Sequence, residues 1–251
     1  DSVIGNPDYY LRDLKAYQRS SAVYVTSPEV IFTHGPNIMA VIHAPVVKSG
    51  AGVNQQQISS GYTTSEDLLA CYGENDNDMR LKAFFIERPA PGNGWRCVKT
   101  QFNAEEVSDI MAIRVPEVYL NKAEALALLG REAEAIEVLN ELREKRLKVA
   151  GAVTENGERL VNFIRDERRR ELCFEGHRWF DLRRYAVNSV YPYEKEIRHI
   201  SYDFLEGSGV YRAGTYVLKP YSQDAADYML PIPRYAIEFN EGTLTNEVRP
   251  S

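Results

Sequence analysis

The densest charge in the chain lies between Arg165 and Arg184, where Asp166, Glu167, Glu171, Glu175 and Asp181 interleave with arginines. Glu167, Arg168, Glu171, Arg178 and Asp181 fall close together on a helix–glycine–helix unit broken at Gly176. Two kinds of chemistry use such residues. A pair of carboxylates in an open cleft can cut a glycosidic bond, one as acid and the other as base or nucleophile. Alternatively, opposite charges three and four apart on a helix satisfy each other. If neighbouring helices bury them, each needs a bonded partner, because breaking a buried pair is costly. The regular alternation of sign favours the second reading, a structural charge network without catalysis. His177, inside the same run, reads as a packed or capping histidine rather than a base. The sequence offers no separate carboxylate pair outside this network.

Other chemistry-bearing residues are sparse. Glu74-Asn75-Asp76-Asn77-Asp78 alternates oxygen ligands in the manner of a calcium loop. It lacks the glycine at the sixth position and the distal glutamate, so no metal site is assigned. Cys71, Cys97 and Cys173 show no CxxC spacing, and with only 4 histidines a structural zinc site is not supported. A Cys71–Cys97 disulfide is open to an exported chain, but free thiols acting as small core hydrophobes fit better. Tyrosine is the outlier of the composition, with 16 Tyr against 9 Phe and 2 Trp. Its apolar ring and polar tip suit half-wet surfaces, whether ligand-binding faces or seams between helices. Tyr191, Tyr193, Tyr211 and Tyr216 are candidates for one such face.

The elements that must position these residues follow from periodicity. From Arg114, the residues Val115, Val118, Tyr119, Lys122, Ala123, Leu126 and Leu129 keep a helical period up to Gly130, which sits where a C′ glycine belongs. Ala133, Ile136, Leu139, Asn140 and Arg143 begin a second helix at once, so the pair predicts an αα-hairpin over 114–146. Its small residues Ala123, Ala125 and Ala135 resemble the centre of a tetratricopeptide repeat, of which one unit is present. A third helix runs from about Leu160 and resumes after Gly176. Upstream the spacing predicts a short helix in Pro7–Arg19, a β-like run at Val30–Phe32, and a helix capped by Ser65. It also predicts a strand at Leu81–Arg88, a turn at Pro89–Gly94 and a return strand at Val98–Lys99. Thr33–Tyr62, rich in Gly, Pro and amides, reads as a long irregular loop with one strand at Met39–His43. Beyond Val187 the prolines allow only short segments, with Tyr228–Pro233 extended.

Composition sets outer limits. The 251 residues are 44% hydrophobic and 26% charged, ordinary for a folded chain and unlike a disordered one. Apolar runs are too short for a membrane-spanning helix. The net charge of −6 repels nucleic-acid phosphate, and the one arginine-rich run is matched by its own acids, so no nucleic-acid partner is expected.

The run Ile164 to Arg184 closely resembles the C-terminal signature of SusD/RagB-like proteins, outer-membrane nutrient-binding lipoproteins of Bacteroidetes-type bacteria. Asp78-Met79-Arg80-Leu81 is similar to the family's acid-x-Arg motif, and Arg114 to Ala125 to its Arg-x-x-Glu-x-x-Leu-x-x-Ala-Glu-Ala helix. Leu230-Pro231-Ile232-Pro233 resembles its Leu-Pro-Ile-Pro tail. The resemblance implies a mainly α fold: a SusD-like fold with a tetratricopeptide-like αα-hairpin, long irregular loops and short β-strands. It implies one domain over 1–251, with 33–100 as the variable ligand-facing part and 114–186 as the helical signature part. The implied function is non-catalytic capture of a glycan at the cell surface, without a cofactor, for a SusC-like TonB-dependent transporter. Peptide or another nutrient on the same fold is the alternative, as is a helical protein-interaction scaffold.

The matching motifs are scaffold and transfer no binding residues. In the family, ligands are met by variable loops bearing aromatic platforms and amides. That points to Tyr62 and Trp95 as stacking platforms, with His34, Asn37, Asn54 and Gln55 as polar partners. Trp95, between Gly94 and Arg96, is expected on an exposed turn. Proteins of this family are about twice as long and begin with a lipoprotein signal. The chain therefore reads as a C-terminal half, its lipid anchor and N-terminal helical repeats lying outside it. The 114–146 hairpin is accordingly expected to show exposed apolar surface.

Overall fold

The computed structural model describes residues 2–17, 22–24, 26–36, 64–73, 76–88, 94–99, 109–205, 209–240 and 243–246. Its longest helices are those that periodicity predicts. Below they are numbered in chain order with the shorter ones: α1 (Glu66–Ala70), α2 (Met79–Phe84), α3 (Val115–Leu128), α4 (Glu132–Arg146), α5 (Gly157–Glu171), α6 (His177–Ala186) and α7 (Arg234–Phe239). The strands form three antiparallel pairs. These are β1 (Val30–Pro36) with β4 (Asp109–Arg114), β2 (Phe85–Arg88) with β3 (Gly94–Cys97), and β5 (Ile197–Leu205) with β6 (Gly209–Leu218). The architecture is mainly helical with short strand pairs, and the chain divides into two units, Asp1–His177 and Arg178–Ser251.

In the first unit, α3 ends where the sequence says it must. Gly130 takes φ +74°, and the amides of Gly130 and Arg131 return to the carbonyls of Ala127 and Leu126 at 3.1 and 2.9 Å. This closing turn satisfies the last carbonyls of α3 and reverses the chain into α4. Ala123 and Ala135 are fully buried, so α3 and α4 approach closely, and α5 packs across α3. Leu120, Leu139, Leu142, Leu160, Val161 and Ile164 fill the space between the three helices. The expected exposed apolar stripe on the hairpin is absent among the described residues. α5 covers it, and Leu129 in the turn and Val149 past α4 are left in water.

Several expectations shift. Leu81–Arg88 is half helix and half strand. Asp78 caps α2 by accepting from the Arg80 amide at 3.0 Å, and β structure starts at Phe85. A short apolar run cannot distinguish these cases by period alone. The return strand is Gly94–Cys97 rather than Val98–Lys99. Among the described residues of the stretch 7–19, Leu14–Ala16 alone forms a helical turn, because Arg12 is committed elsewhere, its amide to Glu29 at 2.8 Å and its guanidinium to the Ala22 carbonyl at 2.6 Å. The β4 strand was not foreseen. The strand expected at Met39–His43 lies outside the described residues.

The second unit adds a ribbon that its sequence did not announce, β5–β6, paired from Ile197↔Leu218 to Leu205↔Gly209. Its small core centres on Tyr228, which is buried between Trp179 and Tyr221 with ring centroids 5.6 and 5.4 Å away. The Tyr228 hydroxyl donates to the Lys219 carbonyl at 2.8 Å. Met229–Pro233 runs extended, as the prolines require. Asn246 pins that segment by accepting from the Ile232 amide at 2.6 Å and donating to its carbonyl at 3.0 Å.

Close approach of α3 and α4 at two alanines gives the first testable outcome. Ala123→Leu forces a branched side chain into a filled contact and is expected to cost about 1–3 kcal/mol. A fall in the calorimetric melting temperature of about 2–4 °C per kcal/mol checks it. A melting point equal to the parent chain's contradicts the packing described.

Candidate functional site

The charged residues singled out by the sequence separate into distinct groups. Glu171, at the end of α5, is wholly buried. Three guanidiniums meet its carboxylate, those of Arg146 at 2.8 Å, Arg80 at 3.3 Å and Arg114 at 3.4 Å. Glu167, one turn earlier, pairs with Arg80 and Arg170, both at 2.6 Å. The Arg80 contact is an ion contact outside hydrogen-bond alignment. Arg80 also forks onto Asp78. Glu29 bridges Arg146 at 2.6 Å and Arg114 at 3.1 Å, and Glu175 joins Arg114 at 2.7 Å and Lys99. The cluster therefore balances five carboxylates (Glu29, Asp78, Glu167, Glu171, Glu175) against five cations (Arg80, Lys99, Arg114, Arg146, Arg170).

The cluster also caps α5. The last carbonyls of a helix have no partner within it. Here Tyr72 donates to the Arg170 carbonyl at 2.7 Å. Lys99 and Arg114 both reach the Glu171 carbonyl, and Lys99 also reaches that of Cys173 at 3.3 Å. The chain then turns through Phe174, at φ 61°, and Gly176, at φ 85°. Phe174 holds its unfavoured backbone by packing edge-on to Phe85 at 6.2 Å.

Arg168 turns away from this centre, to Asn121 at 2.8 Å and to Glu117 and His177 at 3.4 Å. His177 Nδ1 lies 3.7 Å from the Glu117 carboxylate. Asp181 pairs with Arg184 on its own helix at 2.8 Å. Arg178 is the first residue of the second unit. Arg80, Arg114, Lys99, Arg146, Glu29 and Glu175 were not named in the expected network. Arg80 and Arg114 stand in recognised motifs. Nothing local marks Glu29 or Lys99, because their roles depend on partners dozens of residues away.

Electrostatics decides what this arrangement can do. Burial alone pushes the Glu167 carboxyl up, but Arg80 and Arg170 overcome it and hold it at about 2. For Glu171 burial likewise opposes ionisation, and Arg146, Arg114 and Arg80 prevail, keeping it well below the usual carboxylate range. Glu175 is held down against burial by Arg114 and Lys99. A sealed, permanently ionised carboxylate offers no proton to a substrate and no route to one. Burial pushes the thiols of Cys97 and Cys173 up, so neither is a nucleophile at neutral pH. Asp76 is taken by Lys82 and Lys148, each at 2.7 Å, and Asp78 by Arg80. Glu74 and Asn75 of the calcium-like run lie outside the described residues.

Two of the six ligand-binding candidates are described. His34 is exposed on β1, opposite Ile110. Trp95 is on β3 rather than on a turn, opposite Glu87. It is partly buried, packed against the cluster of Tyr72, Phe84, Phe85 and Cys97, and its carbonyl accepts from the Thr64 amide at 2.8 Å. Tyr62, Asn37, Asn54 and Gln55 lie outside the described residues. The strand pairs carrying His34 and Trp95 are clamped at their bases by the charge cluster. Glu29 precedes β1 and bonds Arg114 at the end of β4. Arg80 precedes β2, and Lys99 follows β3.

A mainly helical scaffold with a tetratricopeptide-like hairpin, and strand pairs clamped to an internal charge cluster, is the frame on which the candidate residues sit. The sequence pattern of the SusD family matches residues 98–248, and the chain belongs to that family, whose members bind without catalysis. It is 41% identical over 124 residues to the SusD-like protein P38 of Formosa agariphila, covering 46% of this chain and 22% of that one. A SusD-like carbohydrate binding protein of Bacteroides vulgatus shares the fold with TM-score 0.63 at 20% identity, over 96% of this chain and 53% of that one. A SusD superfamily protein of the same species matches 100% of this chain and 53% of its own, with TM-score 0.65 and 20% identity. The chain thus spans about half the length of these structures. Among the described residues, no helix is long and apolar enough to cross a membrane.

Two outcomes follow. Glu171→Gln leaves three buried guanidiniums short of charge and is expected to cost about 3–5 kcal/mol, read by urea denaturation. Removing the exposed Arg131–Glu134 pair should leave the midpoint unmoved. The cluster also sets an acid limit. A carboxyl whose folded pKa lies below its unfolded one contributes stability that is complete above the unfolded value and lost as pH falls through the folded value. For Glu167 that window runs from 4.5 down to about 2. Urea midpoints should therefore hold steady from neutral pH to about 5 and fall steeply below 4.5, with a shallower fall in Glu167→Gln. A midpoint insensitive to pH across that window contradicts the assignment.

Proposed function

We propose that the chain is the C-terminal, ligand-contacting part of a cell-surface glycan-binding lipoprotein that passes its ligand to a SusC-like TonB-dependent outer-membrane transporter. Residues 33–100 form the variable ligand-facing part and 114–186 the scaffold, and a lipid anchor holds the protein to the outer membrane. The observation that carries the reading is the internal balance of the signature charges. With Glu167, Glu171 and Glu175 sealed and paired, the motif that defines the family is spent on architecture, and ligand contact falls to the strand pairs and their loops. Tyr62 and Trp95 act as ring platforms, with His34, Asn37, Asn54 and Gln55 on the hydroxyl rim. The apolar positions of the 114–146 hairpin are consumed against α5, which disfavours a scaffold that recruits protein through that face.

Neutral oligosaccharides titrated against the chain by calorimetry test the reading. Because Trp95 is part of a core edge, two substitutions separate stacking from folding. Trp95→Ala is expected to weaken binding about tenfold, while Trp95→Phe, which keeps a ring, recovers most of it at an equal melting temperature. Equal affinity of all three proteins for one confirmed ligand removes Trp95 from the site. Preference for peptides over every saccharide replaces the ligand class.

A further inference from the structure

We propose that the β5–β6 ribbon carries its own saccharide platform. It is a shallow trough walled at one end by Tyr216 with His199 and at the other by Tyr211, floored by Gly214 and Ser201, and shaped for an uncharged pyranose ring. The ligand class rests on the function proposed above, whereas the site does not.

The register builds the trough. His199 pairs with Tyr216, Ser201 with Gly214 and Asp203 with Tyr211. Positions 199, 201 and 203 alternate by two on β5, so they and their partners share one face of the ribbon. The pairing steps by one residue between Ser201 and Tyr202, leaving Ala213 as the extra residue of a bulge. Without it, Arg212 instead of Tyr211 would oppose Asp203 and join this face. The bulge thus aims a phenol where a guanidinium would otherwise stand, as bulges beside binding sites do. Arg212 instead lies opposite Tyr202 on the other face, where it donates to Thr215.

The row is open. Tyr216 is 69% exposed and Tyr211 47%. The rings of His199 and Tyr216 stack at 26° with centroids 6.5 Å apart. Gly214 lies between the two tyrosines, and a Cβ there would meet nothing within 4 Å. The span from Tyr216 to Tyr211, four residues along the partner strand, is about 13 Å. The next residue along this face from Tyr216 is Gly214, and the Tyr216 and Tyr211 rings stay in water. The one carboxylate among the described residues of the row is Asp203, opposite Tyr211, which does not suit an anionic ligand, whereas a carboxylate accepts hydrogen bonds from sugar hydroxyls. A pyranose has a C–H face for the rings and hydroxyls for the two phenols, the imidazole and the Ser201 hydroxyl.

The test titrates the chain, with labelled tyrosine and tryptophan rings, against methyl β-glucopyranoside, cellohexaose and maltohexaose by NMR. The expected result is a saturable shift of the Tyr211 and Tyr216 rings. Gly214→Val adds a β-branched residue that suits a strand and has open space. It should fill the trough, keep the melting temperature and weaken the ribbon shifts about tenfold or more. Thr215→Val, on the opposite face, should change nothing. Shifts at Trp95 with still rings at Tyr211 and Tyr216, or wild-type affinity in Gly214→Val, overturn the platform and leave the function reading standing. Ribbon shifts without any at Trp95 support the platform and relocate the ligand from the loops. Silence at both, with all three probes, overturns both.

Discussion

The carboxylate of Glu171, met by Arg80, Arg114 and Arg146 at 3.3, 3.4 and 2.8 Å, is the interaction on which the first unit depends. Each guanidinium arrives from a different element: the first turn of α2, the end of β4 and the end of α4. Taking so many charges out of water is expensive, and a well-packed apolar plug can be as stable as a buried ion pair. The cluster is therefore better understood by what it fixes than by what it adds to stability. An apolar plug tolerates sliding and rotation. Three forked cations around one carboxylate, with Glu29, Glu167 and Glu175 completing their valences, admit one arrangement of the segments that carry them.

That arrangement explains why loop-bearing strands can hang from a helical scaffold. A two-stranded pair is marginal by itself. β1 and β4 are tied where they meet the scaffold, by Glu29 and Arg114 at 3.1 Å. β2 and β3 are tied by Arg80 on one side and Lys99 on the other, both directed to the end of α5. With the bases fixed electrostatically, the tips need contribute nothing to folding. Residues there are free to be chosen for what they touch.

Legibility in the sequence follows the range of the interaction. The αα-hairpin could be read because its determinants are local: a period of apolar residues, a glycine at C′, small residues at the crossing. The signature run could be recognised, and Glu167 and Glu171 assigned to a charge network, because alternating sign along a helix is visible within a few residues. Glu29 and Lys99 could not be found this way, since a lone charge in an apolar stretch gains meaning only from a partner on a distant element. Leu81–Arg88 misled for a related reason. Its helical half is set by Asp78 and by Arg80 turning inward to Glu167, while its apolar run alone suits a strand equally well. Trp95 looked like a turn residue from its glycine neighbour, but cross-strand pairing with Glu87 draws the ring half into the core.

The β5–β6 ribbon shows the opposite economy. Its sequence alternates only weakly between apolar and polar residues. Its order comes from cross-strand pairing, interrupted once by Ala213. A single inserted residue in a strand reverses the facing of everything beyond it relative to an unbroken ladder. In this ribbon that reversal sorts aromatic from cationic side chains, Tyr211 to one face and Arg212 to the other. The scaffold unit holds its shape through charges hidden from water. The ribbon instead leaves a sorted aromatic row, Tyr216 and Tyr211, in water.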